Sequence, residues 1–155
     1  MEIDSTYFNN RKEKARSTFF AQKSIYNSYF KCHIIFNSDG FHHLQFSSRT
    51  ERTKQEQLYK FSLLSLGIEI IKKSGTIQEY RKILSPVGKK NQNGETAMKY
   101  IEYWGMVAII GEKQIKVRTI LRRVGTGNIT FWSIMLDGKI KNGYQKQFSE
   151  GIEDE

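Results

Sequence analysis

The side chains of this chain that can move a proton near neutral pH are its three histidines, and two of them are adjacent. His42 and His43 lie in the segment SDGFHHLQF, and His33 precedes them. An imidazole can act as an acid, a base or a metal ligand. None of the three has an acidic pair at metal-ligand spacing, so we expect no metal site and no cofactor.

A second set of chemistry-bearing residues lies in the segment KQIKVRTILRRV, which is predicted to be a strand. Because strand side chains alternate between two faces, Lys116, Arg118 and Arg122 share one face. Three cations on one face repel one another, so either they bind phosphate or helix carboxylates and water offset them. The opposite face is predicted to be a core face and carries Ile115, Val117, Thr119 and Leu121.

The following segment, NITFWSIML, is predicted to be a strand that adds hydroxyl and aromatic groups. Thr130 and Ser133 can hydrogen-bond phosphate oxygens. Trp132 or Phe131 can stack on a base, although such aromatic residues are more often part of a core. The pairing register decides which of these groups faces the cations.

The composition favours a polyanionic partner. The chain has 155 residues, with 25 Lys and Arg against 16 Asp and Glu and a net charge of +9. Such a charge is typical of nucleic-acid-binding proteins, and also of surfaces that are charged only for solubility. Lys89 and Lys90, in the polar loop SPVGKKNQNGET, are candidate contacts for a polyanion, although a solvated loop explains them equally well.

The N-terminal segment carries charges throughout, and no stretch is apolar enough to cross a bilayer. We therefore expect a soluble, cytoplasmic protein without a membrane partner.

Hydrophobic periodicity predicts helices in the first half of the chain and strands in the second. Together they predict an α+β fold, with N-terminal helices packed on one face of a C-terminal antiparallel β-meander of about four strands. We divide the chain into a basic N-terminal helix (1–30), a single α+β domain (31–148) and a frayed acidic tail (149–155). The predicted elements are a helix within 5–31 capped by Asp4 or Ser5, two strands around a turn at 37–40, a long helix ending at Lys72 and Lys73, a short helix at 76–84, and strands within 97–111, 113–125 and 128–136.

None of the standard catalytic motifs is present: the sequence has no Walker A loop, no GxGxxG after a strand, no HExxH and no GxSxG. Histidine, cations and hydroxyls on a small basic scaffold are what metal-free RNA cleavage needs. A base takes the proton of the ribose 2′-OH, cations stabilise the charge on the phosphate, and an acid protonates the leaving oxygen. The substrate has to be RNA because DNA lacks the attacking hydroxyl.

The order of GFHHL, a long helix and IKVRTILRRVGTGNITFWSIM resembles phage-associated domains that are grouped with barnase, EndoU, the nuclease colicins and RelE in one nuclease superfamily. The resemblance covers roughly residues 31 to 141. It implies N-terminal helices followed by a four-stranded antiparallel sheet.

The resemblance also implies roles for particular residues. His43 is the expected general acid or base, Arg118 and Lys116 are expected to stabilise the phosphate charge, and Ser133 or Thr130 is expected to orient the phosphate. The remaining candidate nucleic-acid contacts are Arg122, Thr130, Lys89, Lys90 and Trp132.

His42 is a rival to His43 for the catalytic role. On a strand, His43 would share a face with Gln45, whereas His42 would share the more apolar face with Leu44 and Phe46. This pattern predicts that His42 is the packed, structural histidine.

Three functions remain as hypotheses. The first is a metal-independent endoribonuclease of toxin or phage-effector type that leaves a 2′,3′-cyclic phosphate, with RNA as substrate and an acidic antitoxin or immunity protein as partner. The second is a non-catalytic RNA- or DNA-binding domain that uses the same basic face. The third is a structural accessory protein of a phage or mobile element, whose charge only aids packing.

Overall fold

A computed structural model of the chain describes residues 2–47 and 50–137, and the backbone of two short strands at 139–141 and 144–146. The acidic tail predicted at 149–155 lies outside the described residues. The elements are α1 (Ser5–Gln22), β1 (Ser24–Asn27), β2 (Cys32–Ile35), α2 (Ser38–Gln45), α3 (Lys54–Lys73), β3 (Glu79–Val87), β4 (Ala97–Ile110), β5 (Ile115–Val124), β6 (Thr130–Leu136), β7 (Lys139–Lys141) and β8 (Tyr144–Lys146).

The main sheet has six strands in the order β1-β2-β6-β5-β4-β3, and β7 pairs with β8 in a separate two-stranded sheet. Strands β3 to β6 form an antiparallel meander, whereas β2 runs parallel to β6 and pairs with it only at Ile35 and Thr130. The α+β class and the N-terminal position of the helices are confirmed. The prediction of about four antiparallel strands is wrong, because the sheet is mixed and the N-terminal region adds two strands.

Of these two strands, β2 lies where the sequence predicts the strand before the turn at 37–40, whereas β1 lies within the region 5–31 that is predicted to be helical. Helix α1 begins at its cap Asp4, whose carboxylate accepts a hydrogen bond from the backbone N–H of Thr6, but it ends at Gln22. Asn27, at the end of β1, is fully buried, and its side-chain amide donates to the carbonyls of Ile71 and Ser74 at the end of α3. This long-range anchoring favours the β1–β2 hairpin over a continued helix.

The segment SDGFHHLQ is helix α2 and not one arm of a hairpin, so the strand prediction for it is wrong. The side chain of Asn37 accepts a hydrogen bond from the backbone N–H of Gly40 and caps the helix. An Asn–Ser–Asp–Gly sequence is equally compatible with a turn and with a helix N-terminus. Here the helix lies against β6, since a Cβ on Gly40 would be only 2.5 Å from the carbonyl oxygen of Phe131.

Helix α3 confirms the prediction of a long helix, and the three strands predicted in the C-terminal half are β4, β5 and β6. The short helix predicted at 76–84 is wrong, because Glu79–Val87 forms β3 and pairs along its length with β4. Since β3 is the outermost strand of the sheet, it tolerates Pro86, which lacks a backbone donor.

The sheet has an apolar layer on each face. Val117 and Leu121 face the helices as predicted, and a Cβ on Gly67 of α3 would lie 2.2 Å from Ile134, which shows how closely that helix approaches the sheet. A smaller cluster on the opposite face contains Ile101, Tyr103, Ile120 and Met135. The predicted cations of β5 lie on this second face.

Candidate functional site

Two of the three cations that share a face of β5 are engaged by carboxylates. The ammonium of Lys116 lies 2.9 Å from the carboxylate of Asp137, and a guanidinium nitrogen of Arg118 lies 2.8 Å from that of Glu79. Arg118 is only 4% exposed. The carboxylates come from β3 and from the residue after β6, rather than from a helix. The charges of Lys116 and Arg118 are therefore largely balanced within the fold.

Arg122, the third cation of this row, lies against aromatic rings rather than against a described carboxylate. Its guanidinium carbon lies 4.1 Å from the ring centroid of Trp132 and 5.9 Å from that of Tyr103. Within residues 2–47 and 50–137 it makes no ion pair, and its buried Nε has no hydrogen-bond partner there. Arg122 is therefore the cation of this row whose charge is not matched by a described carboxylate.

An irregularity in β6 brings the hydroxyl residues to the face of Arg122. Ile120 pairs with Ser133 and Arg122 with Thr130, so one extra residue is inserted in β6 between these pairs. This is the arrangement of a β-bulge. Because directly paired residues share a face, both Thr130 and Ser133 lie on the side of Arg122. Simple alternation would have placed them on opposite faces.

A cleft of about 230 Å³ opens at this bulge, between the start of α2, the β5–β6 turn and β6. Arg122, Thr130 and Trp132, three of the predicted nucleic-acid contacts, line it together. The sequence did not single out the polar residues on the α2 and turn side. The other lining residues are Ile35, Asn37, Asp39, Val124, Gly127 and Asn128.

His43 lies behind this cleft rather than in a groove with Lys116 and Arg118. The residue is 5% exposed, and its ring stacks on that of Trp132, with centroids 4.1 Å apart and planes 18° apart. The Nη2 of Arg52 lies 3.3 Å from its Nε2, and the Nε of Arg52 donates to its carbonyl oxygen. A guanidinium can only donate, so the contact at Nε2 is a hydrogen bond when that nitrogen carries no proton.

His42 is exposed and stacks on Phe46 with centroids 4.4 Å apart. The prediction that His42 is the packed histidine is therefore wrong: His43 is the buried one. The cause is the change from strand to helix, because neighbours on a helix are not divided between two opposite faces.

Ser133 is fully buried and accepts a hydrogen bond from Lys60 of α3, with 3.1 Å between Nζ and Oγ. The same ammonium donates to the carbonyl oxygen of Ile134 at 2.9 Å, and Lys60 is itself only 4% exposed. The hydroxyl of Tyr59 accepts from the backbone N–H of Leu136. Lys60 and Tyr59 therefore supply hydrogen-bond partners along the edge of β6, beyond the point where β2 pairs with it.

Lys60 and Arg52 were not found by sequence reasoning. Lys60 lies beside Phe61 on the buried side of α3, and a lysine within an apolar helix face is a signal that could have identified it. Arg52 gave no comparable signal, because its contact with His43 depends on the tertiary fold.

Lys89 and Lys90 are exposed in the loop between β3 and β4. The end of β5, Val124, pairs with Ile101, so β4 continues past it toward Ala97 and carries this loop away from the cleft. They are therefore not part of the Arg122 cleft.

Among the described residues, no group of three or more His, Cys, Asp and Glu side chains is arranged to hold a metal ion. In the same part of the chain, none of the helices has the length and apolar character needed to span a membrane.

Comparisons with known proteins do not assign the chain to a family. Searches against family models, curated proteins and solved structures found no match.

Proposed function

We propose that this protein binds nucleic acid, RNA above all, and that the cleft at Arg122 holds a phosphate next to a base. The observation that carries the proposal is the state of Arg122: a guanidinium that lines a cleft, lies against Trp132 and has no described carboxylate partner. A phosphate in the cleft would accept hydrogen bonds from this guanidinium. The net charge of +9 attracts a polyanion to the surface.

The two sides of the cleft favour different parts of a nucleotide. Asp39, in the first turn of α2, is an exposed carboxylate that repels phosphate and accepts hydrogen bonds from base N–H groups. Asn128, on the turn side, can donate and accept. We therefore infer that the phosphate lies on the Arg122 side and that a base lies toward Asp39.

A second candidate function is metal-independent cleavage of RNA by attack of the 2′-OH. The observation that favours it is the contact between His43 and Trp132, which puts an imidazole next to a residue that lines the cleft. Because His43 is only 5% exposed, Trp132 would have to move before the imidazole could exchange a proton with bound RNA. Ser133 already accepts a hydrogen bond from Lys60, and Arg118 is paired with Glu79. In this mechanism, the residues that would stabilise the negative charge on the phosphate are therefore Arg122 and Arg52, which contacts His43.

Binding is tested by fluorescence anisotropy with labelled single-stranded oligouridylate and with oligothymidylate, which has no 2′-OH to attack. Arg122→Ala should weaken both by about tenfold, the effect of losing a charged hydrogen-bond donor. Arg16→Ala is the matched control, since Arg16 also lies over an aromatic ring, that of Phe20, but on the exposed side of α1. Equal losses of affinity in the two variants would refute the proposal that the Arg122 cleft binds phosphate.

Cleavage is tested by incubating structured and single-stranded RNA with the protein in EDTA and analysing the ends. The second candidate predicts 2′,3′-cyclic phosphate products that disappear with His43→Ala but remain with His42→Ala. Binding without any cleavage by the intact protein would leave the binding function as the whole activity. Cleavage that required added metal would contradict this mechanism.

A further inference from the structure

One face of the β3–β4 hairpin leaves large side chains open to solvent. Tyr80 and Leu84 on β3, and Met98 and Tyr100 on β4, are each 53–54% exposed. Leu84 pairs with Tyr100, and Lys82 lies on the same face between Tyr80 and Leu84. We call these five residues the hairpin platform.

The platform lies on the helix side of the sheet but beyond the part that is buried there. Trp104 pairs with Leu121, whose side chain is in the helix-side core, and Tyr80 pairs with Trp104. Val124, the last residue of β5, pairs with Ile101, so Tyr100 and Met98 continue past the end of that strand. Packing against α1 and α3 therefore does not account for these exposed side chains.

A series of ring contacts extends the platform toward the β1–β2 turn. The ring of Tyr80 lies 5.7 Å from that of Trp104, Trp104 lies 5.0 Å from Phe30, and Phe30 lies 4.9 Å from Tyr29, which is 49% exposed. These rings fix one another in place. A planar ligand would therefore meet a surface that is already ordered, with little conformational entropy left to lose.

Cations lie over these rings. The ammonium of Lys82 is 4.6 Å from the ring centroid of Tyr100, and the guanidinium of Arg123 is 5.4 Å from that of Trp104. On this face of β3, β4 and β5 the acidic residue is Glu102, which already accepts hydrogen bonds from Tyr80 and Arg123. Because Arg123 is paired with Glu102, Lys82 is the cation on these strands that would attract a phosphate. Rings next to such a cation are the composition of a surface that stacks bases.

The platform and the Arg122 cleft meet at one end of the sheet. Arg122 and Arg123 are consecutive on β5 and point to opposite faces, one toward Trp132 and the other toward Trp104. The β5–β6 turn lies between the two surfaces: Gly127 lines the cleft, and Gly125 donates a hydrogen bond to the carbonyl of Tyr100. A single strand passing around this turn would touch both.

We propose that the hairpin platform is a stacking surface for single-stranded nucleic acid, which makes the single strand the preferred ligand. That the ligand is a nucleic acid rests on the proposed function. The position of the site rests on the exposed residues of the hairpin. A second copy of the chain fits the platform less well, because a symmetric contact would bring two Lys82 ammonium groups together, and the strands β3, β4 and β5 place no free carboxylate on this face to separate them. Duplex bases are already stacked and would not present their faces to Tyr80 and Tyr100.

The test measures the affinity of the full chain for labelled oligothymidylate of about twelve nucleotides, a length that can cover one such surface. Tyr100→Ala should weaken binding by about fivefold or more, the effect of losing one base–aromatic stack. Tyr100→Phe should restore it. Tyr7→Ala is the matched control, since Tyr7 is a comparably exposed tyrosine on α1. Affinity for the duplex form of the oligonucleotide should not change with Tyr100→Ala.

The outcomes separate this proposal from the cleft. If Arg122→Ala weakens binding of the oligonucleotide and Tyr100→Ala does not, the platform proposal fails and the cleft proposal stands. If Tyr100→Ala weakens binding and Arg122→Ala does not, the platform is supported and the cleft is refuted. If polyglutamate of matched charge binds as tightly and loses affinity equally with Tyr100→Ala, the surface is a site for an acidic protein and the proposal fails.

In the unmodified chain, oligonucleotides containing 4-thiothymidine should cross-link to peptides that contain Tyr80 or Tyr100. Cross-links confined to other peptides would overturn the proposal whatever the variants show.

Discussion

The imidazole of His43 and the indole of Trp132 are stacked, with 4.1 Å between their centroids. One ring comes from a short helix and the other from a bulge in the neighbouring strand, so this contact ties α2 to the residue that lines the cleft. The shape of the cleft therefore depends on how closely α2 approaches β6.

Gly40 sets that approach, and we predict that Gly40→Ala destabilises the protein. Alanine is the better helix former by about 1 kcal/mol. Its Cβ, however, would lie 2.5 Å from the carbonyl oxygen of Phe131, and relieving this overlap should cost about 1–3 kcal/mol or more. Urea denaturation measures the difference. Gly75→Ala is the control, because its Cβ would meet only the hydroxyl of Ser28 at an ordinary 3.7 Å. A variant at Gly40 as stable as the unmodified chain would mean that α2 does not lie on β6.

The buried ammonium of Lys60 should make a large contribution to stability. Lys60→Met removes the donor for both the Ser133 hydroxyl and the Ile134 carbonyl, and leaving buried acceptors unpaired should cost about 2–4 kcal/mol. Lys72→Met, at an exposed position near the end of α3, should cost less than about 0.5 kcal/mol.

A double variant sharpens this test. If Lys60 acts through Ser133, Lys60→Met combined with Ser133→Ala should be less destabilising than the sum of the two single changes, because the unpaired hydroxyl is gone. Strictly additive free energies of unfolding from urea titration would contradict the contact.

Glu102 should make stability depend on pH in the acid range. Burial disfavours its charged form, but hydrogen bonds from Tyr80 and Arg123 outweigh burial and lower the pKa of Glu102 below its ordinary value of 4.5. A carboxyl whose pKa is lower in the folded state contributes stability that is present above the unfolded pKa and is lost as the pH falls through the folded one. Glu102→Gln should therefore lower the free energy of unfolding at pH 7 and have little effect at pH values where Glu102 is protonated.

The control for this prediction is Glu69→Gln. Glu69 is an exposed residue of α3 that pairs with Lys73, one turn later in the same helix, and such pairs contribute little. Denaturation series from pH 7 to acid should therefore differ between the two variants. Parallel curves for Glu102→Gln and the unmodified chain would show that the ionised form of Glu102 adds no pH-dependent stability to the fold.

Long, strongly periodic segments could be predicted from the sequence, and ambiguous short ones could not. Helix α3 and strands β4 to β6 carry regular apolar patterns, and they were predicted correctly. The segments 38–45 and 76–84 carry signals compatible with more than one structure, and long-range contacts decided between them: Gly40 against Phe131, and β3 paired with β4.

The candidate site was predicted as a set of residue types rather than as an arrangement. Alternation on β5 correctly placed Val117 and Leu121 on the face toward the helices, but the face of the three cations also carries a buried apolar cluster that includes Ile120. The partners that distinguish Arg122 from Lys116 and Arg118 come from distant parts of the chain, so the sequence of β5 could not identify them. The bulge at Trp132 depends on pairing register, which no local pattern encodes.

The most direct test of the central claim is the salt dependence of binding, because one particular arginine, Arg122, is proposed to contact a phosphate. The logarithm of the affinity for single-stranded oligothymidylate should fall linearly with the logarithm of the salt concentration. Arg122→Ala should reduce the slope by about one phosphate contact and weaken binding at low salt, whereas Arg16→Ala should change neither. An unchanged slope with Arg122→Ala, or an equal change with Arg16→Ala, would contradict the assignment of the cleft.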